Sequence, residues 1–343
     1  MSLLERELRE QGAVLAARTT PGWRAAEAAA EVLGADDVDH LVIAARGSSD
    51  NAARYAQYLL GLELRLPVAL ATPWLYGGER PPLLRRAAVL GISQSGRSPD
   101  VVAVLTAARA QGRPAIALTG DAGSPLALAA DLVVPLLAGT ERSVAATKTY
   151  LASLHAIAQI VAALRPEPGR DQWFQRLPGL VEATVAAQLE SRARFDPLAR
   201  ARLLTVVGRG TELATACETA LKLRELSGIA AEAFSPPDLL HGPVAAINRA
   251  GAIWLIGTAA RGRLARVELG DLARGAGLTV VVSDDPDLVA SADIGVAVQP
   301  GLPEWLAPFL AVIPGQVAAL RLGELAGVDV DRPHGLEKVT LTR

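Results

Sequence analysis

Leu41-Val42-Ile43-Ala44-Ala45-Arg46-Gly47-Ser48-Ser49 is an apolar run that enters a Gly-containing turn, with an Ala-bearing helical stretch beyond it. Leu203-Leu204-Thr205-Val206-Val207-Gly208-Arg209-Gly210-Thr211 repeats that plan. Short apolar runs stopped by glycine read as buried strands. Ala88-Val89-Leu90-Gly91-Ile92-Ser93 matches Ile253-Trp254-Leu255-Ile256-Gly257-Thr258, and Ala115-Ile116-Ala117-Leu118-Thr119-Gly120-Asp121 matches Thr279-Val280-Val281-Val282-Ser283-Asp284-Asp285. Ala130-Asp131-Leu132-Val133-Val134 pairs with Ala292-Asp293-Ile294-Gly295-Val296. Four matches in one order, at a nearly constant offset, indicate a duplication. Strands alternating with Ala- and Leu-rich helical stretches predict α/β halves, each a parallel sheet covered by helices on both faces.

The expected organisation is an N-terminal helical segment over 1–35, a first α/β domain over 36–165, and a linker with a bridging helix over 166–197. A second α/β domain follows over 198–327, then a polar tail over 328–343. Half the residues are apolar and only 4% aromatic, so the cores must be built from Ala, Leu and Val. A net charge of -2 with scattered Lys and Arg excludes a global attraction for nucleic acid or an anionic membrane. The single cysteine, Cys217, excludes an internal disulfide and any multi-cysteine metal site. No cofactor or metal is expected. A charged start and no apolar stretch of spanning length predict a soluble, cytoplasmic protein.

In open parallel sheets, ligands gather beyond the carboxyl ends of the strands, where helix N-termini point N–H groups outward. Gly47-Ser48-Ser49-Asp50 and Ser93-Gln94-Ser95-Gly96-Arg97-Ser98 both fall at such ends. Their hydroxyls, the Gln94 amide and turn N–H groups could hold three phosphate oxygens with little net positive charge. Helix capping is the competing reading, with the more weight at Ser48-Ser49-Asp50. Neither the Walker pattern nor the Gly-x-Gly-x-x-Gly dinucleotide pattern is present. The second half carries Glu212 where the first has Ser49, and Thr258-Ala259-Ala260-Arg261 in place of the Ser-Gln-Ser turn. Glu218, Lys222 and Glu225 lie on the helix after Thr211, and Lys222 and Glu225, three apart, share a face and can pair or converge on a ligand. His241, in a Pro- and Gly-rich loop, suits acid–base work or a structural hydrogen bond. Lys338, on composition, is a solvated charge.

These motifs resemble the sugar isomerase (SIS) domain family, more closely the isomerase half of glutamine–fructose-6-phosphate aminotransferases. The resemblance rests on Ala45 to Ser49, Ile92 to Gly96, Ala138-Gly139-Thr140-Glu141 leading to Val144-Ala145-Ala146-Thr147-Lys148, Ala220 to Ser227, His241-Gly242-Pro243, and Asp331-Arg332-Pro333 through Lys338. It implies two tandem SIS domains, each a flavodoxin-like parallel sheet sandwiched by helices, with a C-terminal tail. It implies that Gly47, Ser48, Ser49, Ser93, Gln94, Ser95 and Ser98 hold a sugar phosphate, with Val144 and Ala146 beside the sugar. Glu225 would move the proton between C1 and C2, and His241 would assist ring opening. Lys338 would form a Schiff base with the ketose, and Lys222 would stabilise developing charge. A homodimer with the His241 loop shared across the interface is implied too.

Two departures bear on substrate: Arg46 replaces a Cys of the aminotransferase pattern, and Ala146 replaces a Ser that contacts the sugar. Ser2, where a glutaminase domain would carry its nucleophilic Cys, predicts no glutamine hydrolysis. The expected function is a hexose- or amino-sugar-phosphate isomerase, foremost a glucosamine-6-phosphate deaminase. The alternatives are a fructosamine-6-phosphate deglycase and a non-catalytic sugar-phosphate sensor.

Overall fold

The computed structural model describes residues 1–258, 271–273 and 275–339. The chain divides into two compact units. One comprises Gln11–Glu141, Lys148–Pro178 and the tail from Glu337; the other comprises Met1–Glu10, Arg142–Thr147 and Gly179–Leu336.

The first-sheet unit contains α2 (Gln11–Thr19), α3 (Gly22–Leu33), β1 (His40–Ala44), α4 (Ser48–Leu64), β2 (Val68–Leu70), β3 (Ala87–Ser93), α5 (Pro99–Ala110), β4 (Ala115–Thr119), α6 (Pro125–Leu128), β5 (Leu132–Pro135) and α7 (Lys148–Leu164). Its strands are all parallel in the order β2-β1-β3-β4-β5. All seven residues of β3 are buried. A central strand covered on both faces requires such an unbroken apolar run. Val89, Val101, Leu105 and Leu126 anchor one core of this unit, each contributing about 1.5–3 kcal/mol by leaving water.

α8 (Arg170–Glu190) begins in this unit and ends in the other. The second-sheet unit adds α1 (Leu3–Arg9), β6 (Leu203–Gly208), α9 (Glu212–Ser227), β7 (Ala230–Phe234), α10 (Pro236–Leu240), β8 (Ala252–Gly257), β9 (Leu278–Ser283), α11 (Pro286–Ala290), β10 (Ile294–Ala297) and α12 (Ala307–Leu325). Its strand order, β7-β6-β8-β9-β10, repeats the first sheet strand for strand. The four strand pairs read from the sequence are present, and β2 and β7 add a fifth. In both sheets the order reverses between the first and third strands, at β1/β3 and at β6/β8. That is the switch point at which doubly wound sheets open a crevice.

α9 lies close against α12. A Cβ built on Gly315 would fall 2.4 Å from Thr219 Oγ1, so only a glycine lets the two helices approach this far. At the other end of the unit, the Asp331 carboxylate accepts the Leu3 and Leu4 N–H groups at 2.9 and 2.8 Å. It caps α1 together with Ser2, whose hydroxyl accepts from Glu5 N at 3.1 Å. The segment over 1–35 is therefore shared: α1 packs in one unit and α2 and α3 in the other.

Candidate active site

Gly47 joins β1 to α4 at φ +54°, a conformation glycine adopts freely. It delivers Ser48 and Ser49, both half-buried, to the first turn of α4. Asp50 follows, its carboxyl pushed up by burial against the pull of Arg54 and Arg46. On the neighbouring strand, the chain leaves β3 at Ser93 and turns through Gln94, Ser95 and Gly96. Ser93 Oγ accepts the Gly96 N–H at 3.1 Å, and Ser95 Oγ accepts the Arg97 N–H at 3.3 Å. The Gln94 carbonyl accepts the Gly120 N–H at 3.0 Å. Gly96 stands at φ +64°, where an added Cβ would lie 2.0 Å from Ser124 Oγ. This turn admits no side chain at that point.

Ser98 occupies the N-cap of α5 without making a side-chain cap bond. The Ser-rich turns thus flank the β1/β3 switch point, and two helices begin there, each with a positive dipole end; in the first turn of α5 the Val101 N–H is already held by Asp100 Oδ1 at 2.9 Å. Arg46 Nε meets Asp100 Oδ2 at 2.7 Å and bridges the two turns.

In the second-sheet unit, α9 carries three ionisable side chains on one face. Lys222 is buried, with 1% of its side chain exposed. Its Nζ stands 3.6 Å from Glu218 Oε1 and forms a closer ion pair with Glu225 Oε2. Glu218 is fully enclosed, whereas Glu225 keeps 22% exposure. A buried ammonium held by two carboxylates is costly to assemble, and the open carboxylate is the one that could exchange a proton with a ligand.

His241 is not in a plain loop. Ser235 caps a one-turn helix whose first positions are Pro236 and Pro237, His241 closes it, and Gly242 at φ +148° turns the chain away. The imidazole is exposed.

At the β6/β8 switch point the chemistry differs. Glu212 opens α9, fully buried, and accepts the Thr258 hydroxyl through Oε1. Burial pushes its carboxyl up to about 7, against the Thr215 and Thr258 hydroxyls, with Glu304 and Asp284 adding to the rise. Oε2 has no hydrogen-bond partner among the described residues. The rest of the stretch compared with the Ser-Gln-Ser turn, Ala259-Ala260-Arg261, lies outside the described residues.

Val144 and Ala146 lie on a short strap, Arg142–Thr147. The Glu7 carboxylate accepts the Arg142 and Ser143 N–H groups at 2.5 and 3.2 Å, and the Val144 N–H donates to the Asp331 carbonyl at 3.2 Å. Immediately before the strap, and back in the first-sheet unit, Glu141 accepts Lys338 Nζ at 2.8 Å. Lys338, a solvated charge by composition, is in fact 23% exposed and ion-paired.

Residues 36–163 match the SIS domain model. Curated relatives include the isomerizing glutamine–fructose-6-phosphate aminotransferase of Brucella abortus biovar 1, 31% identical over 326 residues. That alignment takes in 90% of this chain and 53% of the relative. The chain is a SIS-domain protein. Among solved structures, a candidate phosphosugar isomerase from Silicibacter pomeroyi DSS-3 superposes with a TM-score of 0.82 at 28% identity, over 96% of this chain and 100% of that one. A glucosamine-6-phosphate deaminase from Thermotoga maritima shares the fold, with a TM-score of 0.78 at 20% identity, over 99% of this chain and 100% of that one. The chain spans about half the length of the curated relatives it matches.

Within this SIS protein the structure brings Gly47, Ser48 and Ser49 to the same switch point as Ser93, Gln94, Ser95 and Ser98. It joins Lys222 to Glu225, and it gives Lys338 a carboxylate partner. Glu218, which the sequence also offers, four residues before Lys222, stands as the enclosed carboxylate beside that pair. One further acid, Glu141, escapes a reading of the sequence. Glu141 sits inside a stretch that carries the family resemblance, but its partner is 197 residues away.

Proposed function

We propose that this SIS protein is a phosphosugar aldose–ketose isomerase of amino-sugar metabolism that acts as a glucosamine-6-phosphate deaminase. The Lys222–Glu225 pair carries the reading. A partly open carboxylate set against a buried ammonium supplies a base that becomes an acid after one proton transfer, with a fixed cation beside the developing negative charge. A sensor would need no such costly pair.

In this reading the sugar phosphate docks on the two Ser-rich turns. His241 moves the ring-opening proton, and Glu225 takes the proton from C2 and returns it to C1. Lys338 displaces ammonia from C2 as an imine, and water then releases fructose 6-phosphate. Val144 and Ala146 border the sugar. We read the chain as a homodimer that shares the His241 segment. The exposure of His241, next to Leu240 at 59% exposure, supports a surface that a second copy covers.

Purified protein incubated with glucosamine 6-phosphate should release equal amounts of ammonia and fructose 6-phosphate, at a rate about 10³-fold above that of Glu225→Gln. Release no faster than in that variant sinks the deaminase. Amine release from fructosamine 6-phosphate alone would make the protein a deglycase.

A further inference from the structure

We propose that Glu141 is a positioning residue and proton acceptor for Lys338, the side chain that sets the amine for imine formation; this rests on the proposed reading of Lys338. The observations lie entirely within the first-sheet unit. The Glu141 side chain is 0% exposed, and its Oε2 accepts Lys338 Nζ at 2.8 Å. The carboxylate is itself gripped by the start of α7: Oε1 accepts the Thr149 N–H at 3.2 Å, and Oε2 accepts the Thr149 hydroxyl at 2.6 Å. The residue before it is tied down as well, because Lys148 Nζ donates to the Thr140 carbonyl at 2.8 Å.

Glu141 therefore serves as a remote cap for α7, and the N–H groups and dipole of that helix stabilise its negative charge. A carboxylate fixed this firmly, with no rotamer freedom to regain, holds the end of a long and otherwise mobile lysine in one place. Four methylenes separate the Lys338 amine from a tail whose described residues form no helix or strand. Without an anchor, the amine would spend most of its time in solvent.

The chemistry needs both an anchor and a proton acceptor. A lysine ammonium cannot attack a carbonyl. Glu141 takes one proton, and the neutral amine adds its lone pair to C2 of the ketose as the carbonyl π bond breaks. The alkoxide then recovers a proton from Glu141. Loss of the hydroxyl as water, with a further amine proton, leaves the protonated imine. The net change is ammonium plus ketone to iminium plus water, with a positive charge beside the Glu141 carboxylate at the start and at the end. A carboxylate that gives up its charge only while the amine is neutral, and regains it as the iminium forms, stabilises both ends of that step.

The test uses the full chain with fructose 6-phosphate and borohydride, which reduces the imine to a stable secondary amine that intact-mass and peptide analysis assign to Lys338. Wild type should be labelled at Lys338. Glu141→Gln should lose labelling at least tenfold while fructose 6-phosphate affinity, measured by calorimetry, stays within about twofold. Glu141→Asp should recover part of the rate. Thr149→Val, which removes only the hydroxyl that grips the carboxylate, should label at an intermediate rate and guards against a Glu141 variant that fails to fold. Equal labelling of wild type and Glu141→Gln overturns the inference and leaves the reading of Lys338 standing. A wild type that binds the sugar yet is never labelled at Lys338 overturns both.

Discussion

The crevices at β1/β3 and at β6/β8 are built on the same strand order, each with a helix starting at its mouth, yet they are furnished oppositely. The first presents serine hydroxyls, a start of α4 with no side-chain cap and a turn at Gly96 that excludes a side chain, all suited to an incoming anion. The second presents Glu212, buried and bonded to Thr258. In the proposed reading, the residue at the helix start separates a crevice that takes a phosphate from one that contains its own acid, and the helix of the second, α9, carries Glu218, Lys222 and Glu225.

The most severe way to break the contrast is to give the first crevice the residue of the second. Ser49→Glu would place a carboxylate in the first turn of α4, where the phosphate is expected to dock. A unit charge about 4 Å from a dianion, at an effective dielectric near 20, repels it by several kcal/mol. Fructose 6-phosphate affinity should fall by about 10³-fold or more, read by calorimetry, with thermal stability little changed. Binding within tenfold of wild type would remove Ser49 from the site.

The reverse probe is Glu212→Gln, whose amide can still accept from Thr258. The Glu212 carboxyl is near 4.5 in the unfolded chain and about 7 when folded. Between those values the folded chain binds the extra proton, so this group's stabilisation is complete below about pH 4.5 and is lost as pH rises through 7. The shift corresponds to about 3 kcal/mol at full ionisation. Denaturant titrations from pH 5 to 8 should show wild type losing stability relative to Glu212→Gln by up to that amount. Parallel curves would mean that Glu212 does not carry the difference between the crevices.

The sequence shows part of this contrast and hides the rest for physical reasons. β1, β3 and β4 and their copies were legible because central strands buried on both faces must be continuous apolar runs, whereas the partly buried edge strands β5 and β10 showed only through the repeated Ala-Asp that precedes each apolar run. β2 was not: it has three residues, none fully buried, at the sheet edge. Its copy β7, Ala-Ala-Glu-Ala-Phe, has no β-branched residue and is mostly solvent-accessible. The Ser-rich turn after β3 was legible because its groups are neighbours in the chain. The pairing of Lys338 with Glu141, the capping of α1 by Asp331 and the Glu7 grip on the strap of Val144 and Ala146 join residues more than 130 positions apart. No local pattern records such contacts.

The smallest effect concerns Arg46, which departs from the aminotransferase pattern and spans the two turns of the first crevice. Its side chain is half exposed, so the ion pair itself should contribute at most about 1 kcal/mol to stability. Its consequence for the ligand is larger than for the fold. Asp100, only 9% exposed, sits in the first turn of α5, beside Ser98, and Arg46 neutralises it. Arg46→Ala leaves that carboxylate facing an incoming phosphate and should weaken fructose 6-phosphate binding about three- to tenfold, more at low salt than at high salt. Asp100→Asn alone should bind slightly better than wild type. The double variant should return close to wild type, because the charge that Arg46 masks is then absent. If the double variant binds as poorly as Arg46→Ala, the arginine contacts the phosphate itself, and the first crevice holds its anion with a full positive charge rather than with hydroxyls and helix ends alone.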